Sequence, residues 1–304
     1  EGWAAWDIAA FSAYLACFTR LAIKASHAAK LFNAVQKAQV SWTRIQPYLS
    51  KKDRSYPATS PAESLTVSHV GFTYPGETEP VFSDLSFTAP LGTIIGVTGE
   101  IASGKSTLGR LFLKEYPYEG IISFGTNSHW IPEGRVGYMG HEAELFSGTI
   151  EENIKLGQEG NIAPVLHVVD MEKDIATFPK GIHSPIGEGG IKLSGGQQAR
   201  IALARVLYHH RPLLVLDDPF AALDAKTESI ILSRLRTIQG NTIILFLSHR
   251  LSAFPTFDQV IWMEKGKTPI VSTHDILMET VAEYNRLYNT GTANTDSQQS
   301  VKKR

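Results

Sequence analysis

The 304-residue sequence has a single cysteine, Cys17, which excludes an internal disulfide framework and a cysteine-built zinc site. A reducing cytosol suits that usage. Excess charge of one sign is lacking as well: 29 Lys and Arg stand against 30 Asp and Glu, leaving no electrostatic footprint for nucleic acid. A polyphosphate ligand would need positive groups placed locally. There is no internal repeat. No pattern of basic start, apolar run and small-residue exit opens the chain, which begins at Glu1 rather than at Met. We expect it to be a fragment of something longer. Its length suffices for one large domain or two ordinary ones with a substantial core.

Long apolar runs are scarce. Trp3 to Ile23 is rich in Ala, Trp, Phe, Tyr and Leu, yet only Ile8 to Thr19 is free of charge, between Asp7 and Arg20. A spanning helix needs roughly 20 apolar residues, so the residues alone leave open a membrane span, an interfacial helix and a buried soluble helix. Leu31, Phe32, Val35, Ala38, Val40, Trp42 and Ile45 continue the pattern of an amphipathic helix, and Pro47 marks its expected end. Polar residues 51–62, with Pro57 and Pro61, predict a linker. Beyond it, strand-like runs at Leu65 to Tyr74, Thr93 to Val97, Arg135 to Met139, Leu213 to Leu216 and Thr242 to Leu247 alternate with helical stretches. That alternation predicts an α/β domain over residues 63–290 around a partly parallel sheet. The tail, residues 291–304, is Asn, Thr, Ser, Gln and Lys, too polar to bury, and is expected to be disordered.

The run Thr93 to Val97 leads into Gly99-Glu100-Ile101-Ala102-Ser103-Gly104-Lys105-Ser106-Thr107, a full phosphate-loop pattern between a strand and a helix. Glycines let backbone amides turn toward phosphate oxygens, Lys105 can neutralise β- and γ-phosphate charge, and the helix adds its positive end. Ser106 is placed to ligate Mg²⁺. A second acidic strand end, Leu213-Leu214-Val215-Leu216-Asp217-Asp218, offers Asp217 to the metal and Asp218 as a general base for water. Ser194-Gly195-Gly196-Gln197, opening a helix expected over Gln198 to Tyr208, presents amides and a hydroxyl to a second anion.

Leu193 to Gln197 carries the resemblance to a family, because this five-residue signature separates ABC ATPases from other phosphate-loop proteins. The chain resembles the C-terminal part of an exporter-type ABC half-transporter over about residues 63 to 288. Residues 1–50 then correspond to the end of the last transmembrane helix and its cytosolic extension. The resemblance implies a fold: an ABC-type P-loop nucleotide-binding domain, a mixed sheet with a helical subdomain, preceded by that helix. It implies ATP and Mg²⁺ as ligands, a second half-transporter as head-to-tail partner, and a plasma-membrane location with this domain on the cytoplasmic face. Tyr74 resembles the aromatic that stacks on adenine, and His249 in Leu247-Ser248-His249 resembles the switch histidine at the γ-phosphate. Gly187-Glu188-Gly189-Gly190 and Phe146 to Ile150 resemble exporter coupling segments, and Ala222-Leu223-Asp224 the segment crossing the dimer.

Two positions depart from the family pattern. Asp218 stands where glutamate is usual, shortening the carboxylate's reach by roughly 1.5 Å. His141 stands where a Mg²⁺-binding glutamine is usual, and an imidazole is a poorer ligand for a hard cation. The expectation is a site that binds Mg-ATP and turns it over slowly, in the degenerate half of a heterodimer exporting a small or amphipathic solute. A soluble ABC ATPase acting on nucleic acid or the ribosome, and a regulatory non-hydrolysing module, are the alternatives.

Overall fold

In the computed structural model residues 7–49, 64–125 and 134–301 are described. The expected linker, residues 51–62, and Trp3 lie outside them. The chain divides into two compact units, Glu1–Tyr56 and Pro57–Arg304.

The described residues of the first unit form one helix, α1 (Ile8–Leu49), of 42 residues. At about 1.5 Å per residue it is roughly 63 Å long, twice the ~30 Å of a bilayer core. Within it, Ile8–Thr43 contains a window of mean hydropathy 1.4, enough by length and composition to cross a membrane, with every described side chain exposed. The charge-free run is short, but so few charges interrupt the apolar residues around it that the wider window passes. Long basic side chains can carry their charge toward the interface while their stems stay apolar. Pro47, expected as the end, is passed by two residues. Proline's φ suits a helix and it costs one hydrogen bond, so a last partial turn survives it.

The second unit begins with β1 (Ser64–Phe72), β2 (Phe82–Pro90) and β3 (Ile94–Gly99), followed by α2 (Lys105–Phe112), β4 (Glu119–Phe124) and β5 (Val136–Met139). A helical region follows, with the short antiparallel-paired strands β6 (Gly148–Thr149) and β7 (Pro185–Ile186) flanking α3 (Ile150–Lys155), α4 (Ala163–Val168) and α5 (Glu172–Thr177). Then come α6 (Gly195–Tyr208), β8 (Leu213–Asp217), α7 (Ala225–Ile238), β9 (Ile243–Leu247), β10 (Gln259–Met263), β11 (Ile270–Ser272), α8 (His274–Thr280) and α9 (Ala282–Val301).

Strands β2, β1 and β4 form an antiparallel sheet, and a six-stranded sheet runs β11-β10-β3-β9-β8-β5. The latter is parallel except at β11. Its central strands are predominantly apolar because both faces are covered, with Thr98 and Asp217 only toward their C-terminal ends. Successive side chains alternate sides: Leu213, Val215, Ile243, Leu245 and Ile261 pack with α2 and the antiparallel sheet. Leu214, Leu216, Ile244, Phe246 and Trp262 pack with the helical layer of α6 and α7. Gly96 faces the second layer, where a Cβ would fall 2.6 Å from the Phe254 ring.

Two boundaries differ from expectation. Helix α6 starts at Gly195, three residues before Gln198, because Ser194 and Gln197 form a reciprocal capping box. Helix α9 runs to Val301, through most of the segment expected to be disordered. Its first turns dock through the fully buried Tyr284. A nucleated helix extends at one backbone bond per added residue, which needs no apolar side chain.

Candidate nucleotide site

The parallel sheet delivers the chemistry at the C-terminal ends of β3, β8 and β9, where open α/β sheets place their ligands. Strand β3 leaves the sheet at Gly99, φ 152°, where a Cβ would lie 1.9 Å from the Met263 carbonyl oxygen. Only glycine allows that exit. The loop closes at Gly104, φ 96°, which caps α2 so close to Val81 that a Cβ would come within 2.3 Å of its Cγ1.

Lys105 is the first residue of α2 and is 7% exposed. Its Nζ donates to the Gly99 carbonyl at 3.1 Å, the Glu100 carbonyl at 2.7 Å and the Ser103 hydroxyl at 3.3 Å. An ammonium has three protons, so phosphate binding here requires at least one of these bonds to be exchanged. Burial pushes its pKa down to about 8, although Asp217, Asp218 and Glu100 pull the other way. A polyphosphate would supply the counter-charge that burial withholds.

A cleft of 890 Å³ opens over this loop, lined by Tyr74, Ala102 to Thr107 and His249, with Glu77, Glu79 and Lys265 at its margin. The structure thus brings together the sequence-selected Tyr74, Ser103, Gly104, Lys105, Ser106, Thr107 and His249, with Gly99 at the loop's root. Tyr74 is held edge-on against Phe72 and Tyr116, centroids 4.8 and 5.7 Å away, and its hydroxyl meets Thr107 Oγ1 at 2.8 Å. Its ring remains available at the lip, 38% exposed. Burial and the Lys105 charge hold the His249 pKa below its usual value, so at neutral pH the ring is neutral. It then offers one donor and one acceptor.

Asp217 ends β8, buried, and Tyr138 donates to its Oδ2 at 3.3 Å. Asp218 sits at φ 49°, with its amide donating to the Leu247 carbonyl at 2.8 Å. Its Oδ1 accepts from the Ser248 hydroxyl at 3.1 Å, and its Oδ2 lies 3.8 Å from His141 Nδ1. The His141 side chain is 63% exposed and that of Asp218 is 15% exposed. A hydroxyl at Ser106 and a carboxylate at Asp217 are hard oxygen donors of the kind Mg²⁺ accepts together with phosphate oxygens and water. When bound, the ion would neutralise charge on the terminal phosphates.

The signature residues stand apart from the cleft: Ser194, Gly195, Gly196 and Gln197 are not among its lining residues. Ser194 Oγ accepts from the Gln197 amide at 3.2 Å, while Gln197 Oε1 accepts from the Ser194 amide at 3.0 Å. Ser194 and Gly195 are exposed. Two helix starts with the chemistry to face an anion therefore stand apart on this chain, one in the cleft and one outside it.

Some contributors escape a reading by motif. Ser248 adjoins the switch-type histidine, and Tyr138 lies on the strand whose register pairs it with Val215, two residues before Asp217. Asp174 bonds Gln197 from 23 positions away, and no spacing signals that contact.

A family model described as ABC transporter matches residues 82–221. The chain is 34% identical over 274 residues to the Bacillus subtilis (strain 168) "Probable multidrug resistance ABC transporter ATP-binding/permease protein YheI", covering 85% of this chain and 47% of that protein. It is 33% identical over 277 residues to Escherichia coli (strain K12) "Multidrug resistance-like ATP-binding protein MdlA", covering 85% and 46%. With a Xanthomonas campestris "ATP-dependent lipid A-core flippase" it shares 30% over 271 residues, covering 84% and 46%. The solved structure of a bacterial Atm1-family ABC exporter with ATP bound superposes with TM-score 0.71 at 25% identity, over 88% of this chain and 50% of that one. The chain spans about half the length of the curated relatives it matches.

Proposed function

The chain carries the ATP-binding domain of the ABC transporter family, and from that premise we propose that it is the ATPase end of one half of an exporter. Two such halves close head to tail over ATP, and the closure and its release move solute across the plasma membrane, with this domain on the cytoplasmic face. The observation that carries this reading is the division of anion-binding groups. One chain has a complete phosphate loop in its cleft and a second capped helix start outside it, so a neighbouring chain is needed to place both on one nucleotide. The apolar α1 is long enough to be the end of the membrane part. Multidrug and lipid A-core substrates belong to relatives by their names; for this chain we propose a small or amphipathic solute.

In the proposed site Gly99, Ser103, Gly104, Lys105 and Thr107 hold the phosphates, Tyr74 meets adenine, and Ser106 and Asp217 hold Mg²⁺. Ser194 to Gln197 complete the opposite site. Asp218 would take the proton from the attacking water, with His249 facing the γ-phosphate and His141 replacing the usual amide. A carboxylate one methylene short is costly, since about 1 Å of misplacement lowers rate by ~10²-fold. We therefore assign slow turnover to this site and most turnover to that of a different partner subunit, making the pair unequal. Asp218→Glu in the assembled transporter tests it: steady-state ATP hydrolysis should rise, because a second site becomes competent. Unchanged hydrolysis, together with no effect of removing the partner's catalytic carboxylate, would refute the assignment.

A further inference from the structure

We propose that Asp174 is a positioning residue that sets the Ser194 to Gln197 turn for the nucleotide held by the partner subunit, an inference that rests on the head-to-tail reading above. Asp174 lies on α5, away from the signature in sequence, yet its Oδ1 accepts from Gln197 Nε2 at 2.7 Å. Its Oδ2 pairs with Arg200 Nη1 at 2.9 Å. Arg200 is one turn further along α6, and its side chain is 12% exposed. The same guanidinium nitrogen donates to the Asp170 carbonyl at 2.6 Å, while Nε donates to the Gly196 carbonyl at 3.3 Å. The start of α6 is thereby tied to α5 and to the turn between α4 and α5, by polar contacts from Gln197 in its first turn and from Arg200 one turn on.

The chemistry of the amide explains why this matters. Gln197 has one acceptor oxygen and one donor nitrogen, and the capping box needs the oxygen turned toward the Ser194 amide. A carboxylate on the other side accepts only, so it admits the nitrogen alone and fixes the orientation. With Ser194 Oγ accepting from the Gln197 amide, the hydroxyl proton is left to point outward to an anion. Asp174 also brings a negative charge near a helix start meant for phosphate, which would oppose binding. Arg200 cancels that charge at contact distance, so the orientation is kept without the repulsion.

The test uses the transporter purified through this chain with the subunit that assembles with it, and measures KM and kcat for ATP. Asp174→Ala should raise KM roughly fivefold, the effect of losing a helix cap, with kcat within about a factor of two. Asp174→Asn keeps an oxygen for Gln197 and should stay closer to wild type. In a Gln197→Ala background Asp174→Ala should add nothing further, because its action passes through that amide. An unchanged KM in Asp174→Ala, while Ser194→Ala raises it, overturns the role of Asp174 and leaves the functional reading standing. If Ser194→Ala is also without effect, the reading itself fails. If KM rises only in step with a lowered unfolding temperature in both Asp174 variants, the residue is merely structural and the proposal is overturned.

Discussion

At the scale of single residues, burial decides what Lys105 is for. A lysine this enclosed, its ammonium turned onto its own loop's carbonyls and its pKa pushed to about 8, gains from a polyanion what the protein interior denies it. Lys105→Met keeps the length and removes the charge. Losing one charge-assisted hydrogen bond, worth about 2 kcal/mol, should weaken ATP binding roughly 30-fold. Titration with a fluorescent ATP analogue checks this, and an affinity within threefold of wild type would contradict it. Asp218 shows the other limit. The Ser248 hydroxyl donates to one oxygen of its carboxylate and His141 lies 3.8 Å from the other, and under the proposed assignment what the group lacks is length.

At the scale of elements, β3 with its loop and α2 was legible because the glycines and Lys105 stand in an order that physics constrains: Gly99 and Gly104 have no room for a Cβ. Among the parallel strands, β3, β8 and β9 were legible as apolar runs buried on both faces and β5 was expected from Arg135 to Met139, whereas β10 (Gln259–Met263) was not among the expected strand runs. What the sequence did not disclose is where independent elements meet. The Gln197 to Asp174 bond, the Tyr74 to Thr107 bond and the extension of α9 depend on tertiary placement rather than on local pattern. Helix α9 docks where His274, 9% exposed, bonds the Tyr284 hydroxyl at 2.7 Å and meets the Tyr288 ring edge-on. Burial holds the His274 pKa below 6.5, outweighing the opposite pull of Asp275. The unfolded chain therefore takes up a proton that the folded chain resists. Stability from this group is complete above pH 6.5 and is lost as pH falls from 6.5 through the lowered value. Chemical denaturation of wild type and His274→Gln across that window should show a steeper acid loss in wild type; parallel curves would contradict it.

At the scale of the whole molecule, the parts imply an incomplete machine. The cleft is lined by Tyr74, the phosphate loop and His249, and the signature turn stands outside it; on the proposed head-to-tail reading the chain would offer each half of a nucleotide sandwich to a different ATP. The N-terminal helix extends well beyond what a bilayer requires, which is consistent with a membrane end running on into a cytosolic stretch. Inequality between the two ATP sites is the central claim, and retention of intact ATP on this chain during turnover tests it most directly. The assembled transporter is photolabelled while hydrolysing 8-azido-ATP that carries radiolabel at either the α- or the γ-phosphate, and the label on this chain is compared. A γ-to-α ratio near one is expected, because the nucleotide above Lys105 and Asp217 stays uncleaved; a ratio near zero would show that this site hydrolyses ATP as readily as its partner.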